Sequence, residues 1–103
     1  MKEIYEDILR INKLDPAIAS ERLCKLFEES GELAQAVNKT IGRKTVTETK
    51  EEVVDLICEE GADTIQCVIS LLDTYGITYE QLMSKLAQKN IKWESVAKAR
   101  IKK

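Results

Sequence analysis

The chain has 103 residues and a mass of 11.7 kDa, with 44% hydrophobic residues, 33% charged residues and eighteen acids against sixteen bases for a net charge of −2. Its length predicts one domain over residues 1–103, and its apolar fraction excludes a disordered chain, which has too little apolar surface to offset its ordering entropy. There is no histidine, which excludes Ser-His-Asp and Cys-His catalysis, every imidazole metal site and the Glu-x-x-His pairs of di-iron bundles.

Four helices are predicted in chain order. Ile4, Ile8 and Ile11, with Tyr5 and Leu9 beside them, form a short amphipathic helix. Asp15-Pro16 reads as a cap followed by proline at the first helical position of a second helix, which runs to about Ile41 and stops at Gly42. Its apolar set is Leu23, Leu26, Phe27, Leu33, Ala34, Val37 and Ile41, at spacings of three and four. The polar stretch from Gly42 to Thr49 reads as a loop. Thr49 and Glu52 fit a capping box, so a third helix begins near Lys50, continues to Tyr75 and stops at Gly76. Thr78 and Gln81 repeat the box, and a fourth helix follows from Tyr79 through at least Ala97, with Leu82, Met83, Leu86, Trp93 and Ala97 on its buried face. The expected architecture is an all-α, four-helix bundle-like protomer.

Residues 85–103 hold seven bases against Glu94 alone, a net +6, and leave −8 on the remainder. Bases spread this thinly read as a solvated helix face rather than a nucleic-acid interface. No apolar run approaches the roughly 18–20 residues that span a bilayer, and Met1-Lys2-Glu3-Ile4 is too polar for a signal peptide, so a cytoplasmic protein is expected. Cys24, Cys58 and Cys67 lack C-x-x-C spacing and read as buried, reduced thiols.

The acids carry the chemistry. In Glu28-Glu29-Ser30-Gly31-Glu32, Glu28 and Glu32 lie about 40° apart around the helix axis, and Glu29 and Glu32 about 60°. In the third helix, Val53, Leu56, Ile57, Thr64, Cys67 and Leu71 all fall within about 60° of Glu60, which places a glutamate in the middle of an apolar face with Asp63 on its flank. An unpaired buried carboxylate protonates, pairs with a base or binds a metal. Two antiparallel helices would face Glu29 and Glu32 with Glu60 and Asp63, and Gly31 and Gly61 are expected to permit close backbone approach between them. Oxygen donors without sulfur or imidazole suit a hard cation, Mg²⁺ with Mn²⁺ as its substitute.

The pattern Leu26-x-Glu28-Glu29-x-Gly31-Glu32-Leu33, followed by Glu60-x-x-Asp63, resembles the signature of the MazG-like, all-α nucleoside triphosphate pyrophosphohydrolases. The resemblance covers about Asp15 to Trp93. It implies Mg²⁺ held by Glu29, Glu32, Glu60 and Asp63, hydrolysis of a nucleoside triphosphate to monophosphate and pyrophosphate, and a homodimer or homotetramer. Glu28 or Glu32 is the expected base, since no histidine is present to serve. Lys85-x-x-x-Lys89-Asn90-x-Lys92 is similar to a Lys/Asn segment that contacts phosphate or sugar in several members, while Trp93 reads as core before it reads as a base-stacking group. Arg43 and Lys44 are further phosphate candidates. The competing expectation is a non-catalytic helical module that binds metal or nucleotide as a regulatory or oligomerisation unit.

Overall fold

The computed structural model describes residues 1–41 and 48–101, and every regular element among them is an α-helix: α1 (Lys2–Asn12), α2 (Ala19–Ile41), α3 (Lys50–Asp73) and α4 (Tyr79–Ile101). The expected all-α architecture is therefore observed. None of these helices is long and apolar enough to cross a membrane. The expected loop from Gly42, with its candidates Arg43 and Lys44, lies outside the described residues up to position 47, as do Lys102 and Lys103.

Local signals place three of the helix ends. Thr49 Oγ1 accepts the Glu52 N–H at 3.1 Å and Glu52 Oε1 accepts the Thr49 N–H at 3.1 Å, which satisfies two otherwise orphaned groups at the start of α3. Thr78 and Gln81 close the same box on α4 at 3.1 and 2.8 Å. At the end of α3, Gly76 adopts φ +72°, and the Ile77 N–H donates to Leu72 O while the Gly76 N–H donates to Asp73 O. That pairing is a Schellman turn, and it needs a residue that tolerates positive φ.

The start of α2 differs from expectation. Asp15 Oδ1 accepts the Ala17 N–H and so caps a turn, and the helix begins at Ala19, with its first bond from the Arg22 N–H to Ile18 O. The cause is tertiary. Arg22 is buried and its guanidinium donates to the carbonyls of Ala17, Asp15 and Asn12 and to Ser70 Oγ, so it holds residues 12–17 as a bent connection against α3.

α2 packs lengthwise on α3, and α1 lies across α3. Arg22 meets Ser70 while Thr64 meets Glu29, so the α2–α3 pair is antiparallel. The stripe that α1 buries is Tyr5, Ile8, Leu9 and Asn12, at i, i+3, i+4 and i+7, and Ile4 and Ile11 flank it exposed. Tyr5 is fully buried, donates its hydroxyl to Ile77 O at 3.2 Å, and meets Tyr79 edge to face with ring centroids 5.4 Å apart. Asn12 donates to Asp73 Oδ2 at 2.8 Å.

α4 touches α1 and neither α2 nor α3. Its expected buried face is therefore only partly covered: Leu82, Met83 and Ala97 are half-buried, whereas Leu86 and Trp93 are exposed, Trp93 by 72%. Phe27, Val37 and Ile41 on α2 are exposed as well. The thiol expectation also fails on burial. All three cysteines are free, but Cys24 and Cys58 are exposed on uncovered helix faces and only Cys67 is half-buried.

Burial, followed by the charges of Asp73, Glu6 and Glu80, pushes the Tyr5 phenol above its ordinary value. The folded state then keeps its proton to higher pH than the unfolded state. The resulting stability is complete below about pH 10 and is lost as pH rises through the folded value. Tyr5→Phe should cost about 1 kcal/mol at pH 7, because Ile77 O loses its donor. In denaturant titrations between pH 9 and 12 the variant should lose stability less steeply than the parent chain.

Candidate metal centre

The α2–α3 seam carries acids where packed helices usually place apolar side chains. Glu29 is 7% exposed, and Glu60 is half-buried on the stripe formed by Val53, Leu56, Ile57, Thr64, Cys67 and Leu71, of which Val53 is buried and the rest half-buried. Asp63, Glu28 and Glu32 are exposed at the rim. One carboxylate oxygen each from Glu29, Glu60 and Asp63 lie within 4.8 Å of one another, and so do one each from Glu28, Glu29 and Glu32. Glu29 belongs to both groups, so the acids of the two motifs converge on one place.

Ordinary partners do not satisfy this cluster. Among the described residues, Glu29 Oε2 and Glu60 Oε2 are both buried without a hydrogen-bond partner. An orphaned buried acceptor carries its full desolvation cost, on the order of 1–3 kcal/mol and more when charged. The other oxygen of Glu29 meets Lys25 Nζ at 3.0 Å, and the same ammonium lies 3.7 Å from Glu28. This pair, followed by the charges of Glu28 and Glu29, holds the Lys25 ammonium above its ordinary range. Glu32 and Glu29 bring carboxylate oxygens within 4.8 Å of each other. That contact, with the charges of Glu29 and Glu60 and some desolvation, raises the Glu32 carboxyl above the usual carboxylate range.

Two further groups shape the centre. The Thr64 hydroxyl donates to Glu60 O at 2.8 Å and lies 3.4 Å from Glu29 O, so it bridges the two acid-bearing turns. Burial, then the charge of Glu29, pushes the Cys67 thiol up, and a protonated thiol is a poor metal ligand. The donor set is thus oxygen only, and it suits a hard cation. A cavity of about 410 Å³ adjoins the cluster, walled by Ile8, Ile11 and Asn12 from α1, Arg22 and Lys25 from α2, and Cys67 from α3. Its size lies within the range of small-molecule sites.

The remaining candidates are elsewhere. Lys85, Lys89, Asn90 and Lys92 are exposed on α4, which does not reach the acid-bearing helices within one chain. Gly31 and Gly61 do not serve close approach, since a Cβ at either would meet nothing within 4 Å. Lys25, Thr64 and Cys67 were not among the expected site residues. Lys25 had a local signal, because it precedes Glu28 and Glu29 by three and four positions on the helix, whereas the contact of Thr64 with Glu29 depends on how two helices dock.

A carboxyl whose proton affinity is raised on folding destabilises the folded state when ionised. For Glu32 the penalty is absent below about pH 4 and grows as pH rises through its folded value. With divalent cations removed by chelator, Glu32→Gln should therefore melt at a higher temperature than the parent chain at pH 7. The gap should close as pH falls to 4. Compared with known proteins, the chain matches no family model, no curated protein and no solved structure.

Proposed function

We propose that this chain is a Mg²⁺-dependent nucleoside triphosphate pyrophosphohydrolase of the MazG-like kind, which cleaves between the α- and β-phosphates to leave monophosphate and pyrophosphate. The observation that carries this reading is the pair of buried, unpartnered oxygens of Glu29 and Glu60, flanked by Asp63 and Glu32. Such atoms fit a cation: a bound Mg²⁺ would replace the missing donors and remove the repulsion that raises Glu32. Glu29, Glu32, Glu60 and Asp63 would hold the ion, with Mn²⁺ as a substitute. When bound, the ion supplies charge neutralisation on phosphate oxygens and a more acidic water.

The proton chemistry falls to the chain's own acids. Glu28 and Glu32 stand exposed at the rim, where either carboxylate can take a proton from an attacking water. Glu29 and Glu60 are set deeper in the seam and keep the ligand set fixed. A phosphoanhydride substrate is compatible with the same chemistry, since its hydrolysis needs positioning and charge neutralisation.

Oligomerisation belongs to the same proposal. The chain exposes 8215 Å², whereas a compact monomer of its mass exposes about 5,900 Å². Its radius of gyration is 16.9 Å, against about 13 Å for a compact domain of this length. Exposed Leu86, Trp93, Val96 and Ile101 on α4 account for part of the excess. A homodimer or homotetramer would cover them, and a neighbouring copy would be the source of Lys85, Lys89, Asn90 and Lys92 at the phosphates.

Incubation with Mg²⁺ and a panel of ordinary and modified (d)NTPs should release monophosphate and pyrophosphate. Diphosphate and phosphate, or no turnover of any nucleotide, would contradict the proposal. Glu60→Gln should lower turnover by at least about 100-fold while the far-ultraviolet circular dichroism stays helical. Sedimentation equilibrium should return a mass of two or four times 11.7 kDa, and a monomer at micromolar concentration would remove the role given to the neighbouring α4.

A further inference from the structure

Among the described residues Lys25 is the cation that pairs with these carboxylates, and its position is double. Its Nζ lies 3.0 Å from Glu29 Oε1 and 3.7 Å from Glu28 Oε1, yet its side chain also forms part of the wall of the 410 Å³ cavity between α1, α2 and α3. The two partners differ in freedom: Lys25 is 55% exposed along its side chain, whereas Glu29 is nine-tenths buried with Oε2 unpaired. The glutamate is fixed by packing, while the lysine has a four-carbon stem with room to move.

We propose that Lys25 is a tethered counter-ion: it neutralises Glu29 while no divalent cation is bound, is displaced when one binds, and then pairs with the phosphoanhydride of the ligand at the mouth of the adjoining cavity. This inference rests on the metal reading of the preceding section and adds a coupling to it. Before the metal arrives, the ammonium offsets part of the repulsion among Glu28, Glu29 and Glu32, which share a space of under 4.8 Å. With a divalent cation held by Glu29, the Lys25 ammonium would stand beside a second positive charge. Repulsion would then move Lys25 away from Glu29, and the cavity it already lines is within its reach.

The acids that line the cavity offer the released ammonium little. Glu21 Oε1 accepts the Ile18 N–H and Asp15 Oδ1 accepts the Ala17 N–H, so each is oriented toward the backbone of the connection. An anion delivered with the ligand is the better partner. Metal and anion therefore reinforce each other through one side chain, since each favours the outward position of Lys25 and by linkage each must raise the affinity of the other.

The test is titration of the full chain with Mn²⁺ alone, and with inorganic tripolyphosphate in the absence and presence of saturating Mn²⁺, by calorimetry. Lys25→Gln removes the competitor, so Mn²⁺ alone should bind about fivefold more tightly than to the parent. The enhancement of tripolyphosphate affinity by Mn²⁺ should shrink in the same variant. Lys25→Arg, which keeps the charge, should behave like the parent in the Mn²⁺ titration. A damaged fold would weaken binding, so a gain in Mn²⁺ affinity separates the proposed role from simple disruption. Unchanged or weaker Mn²⁺ binding by Lys25→Gln, or an undiminished Mn²⁺ effect on tripolyphosphate, would overturn the inference. Glu29→Gln serves as the control for the metal reading. If Glu29→Gln loses Mn²⁺ but Lys25→Gln does not gain it, the metal centre stands and the counter-ion role falls; if Glu29→Gln binds Mn²⁺ as the parent does, the metal reading itself falls.

Discussion

Two glutamates drawn into the seam between α2 and α3 set the terms for the rest of this molecule. Glu29 and Glu60 each hold a buried oxygen with no donor, and Glu32 and Asp63 add charge beside them. A seam of leucines would have been more stable at this place, because burying acids without donors costs free energy that apolar side chains would contribute instead. The helices remain paired because Thr64 bridges the acid-bearing turns, Val53 and Ala36 are buried, and Lys25 offsets part of the charge. The strain is local. It sits in the middle of the α2–α3 pair, and the end near α1 is held by other contacts.

Arg22 and Tyr5 secure the end where α1 docks. Arg22 is a buried cation that meets carbonyl oxygens and a hydroxyl, so its charge is spread over the bent connection of residues 12–17 and over Ser70 of α3. Tyr5 ties the same short helix to Ile77, at the turn where α3 gives way to α4. An eleven-residue α1 is too short to be stable alone, and these contacts keep it against α3. One consequence is the cavity beside the carboxylates, whose floor includes Arg22 and whose wall includes Ile8 and Ile11. The acids and the cavity therefore share their supporting residues.

Much of this was legible in the sequence, and the limits have physical causes. The capping boxes at Thr49 and Thr78 and the glycine stop at Gly76 are local chemistry, complete within six residues, and they mark their helix ends correctly. Glu60 is visible because a 24-residue helix with a steady apolar stripe leaves no ambiguity about which face is covered. Asp15-Pro16 misleads because Arg22, five and more residues away, claims the carbonyls that a helix would have used. Gly31 and Gly61 mislead in another way: a pattern of small residues says nothing of the distance between two axes, and here the space over both is open.

The fourth helix shows where periodicity stops informing. Leu82, Leu86, Trp93, Val96 and Ala97 mark an apolar stripe on α4, but a stripe states only that a face prefers to be covered, and it does not name the cover. Within one chain the cover is α1, which reaches only part of a 23-residue helix. Trp93 and Ile101 remain more than 70% exposed, far above what a lone domain usually tolerates for side chains of that size. Lys89 and Asn90 interrupt the same stripe, and polar groups there are tolerable if the surface that meets them is itself charged or carries a phosphate. The acidic seam and the basic, partly apolar helix are opposite in sign, and the net charge of −2 conceals them: the two opposed fields nearly cancel in the whole chain while remaining separate along it.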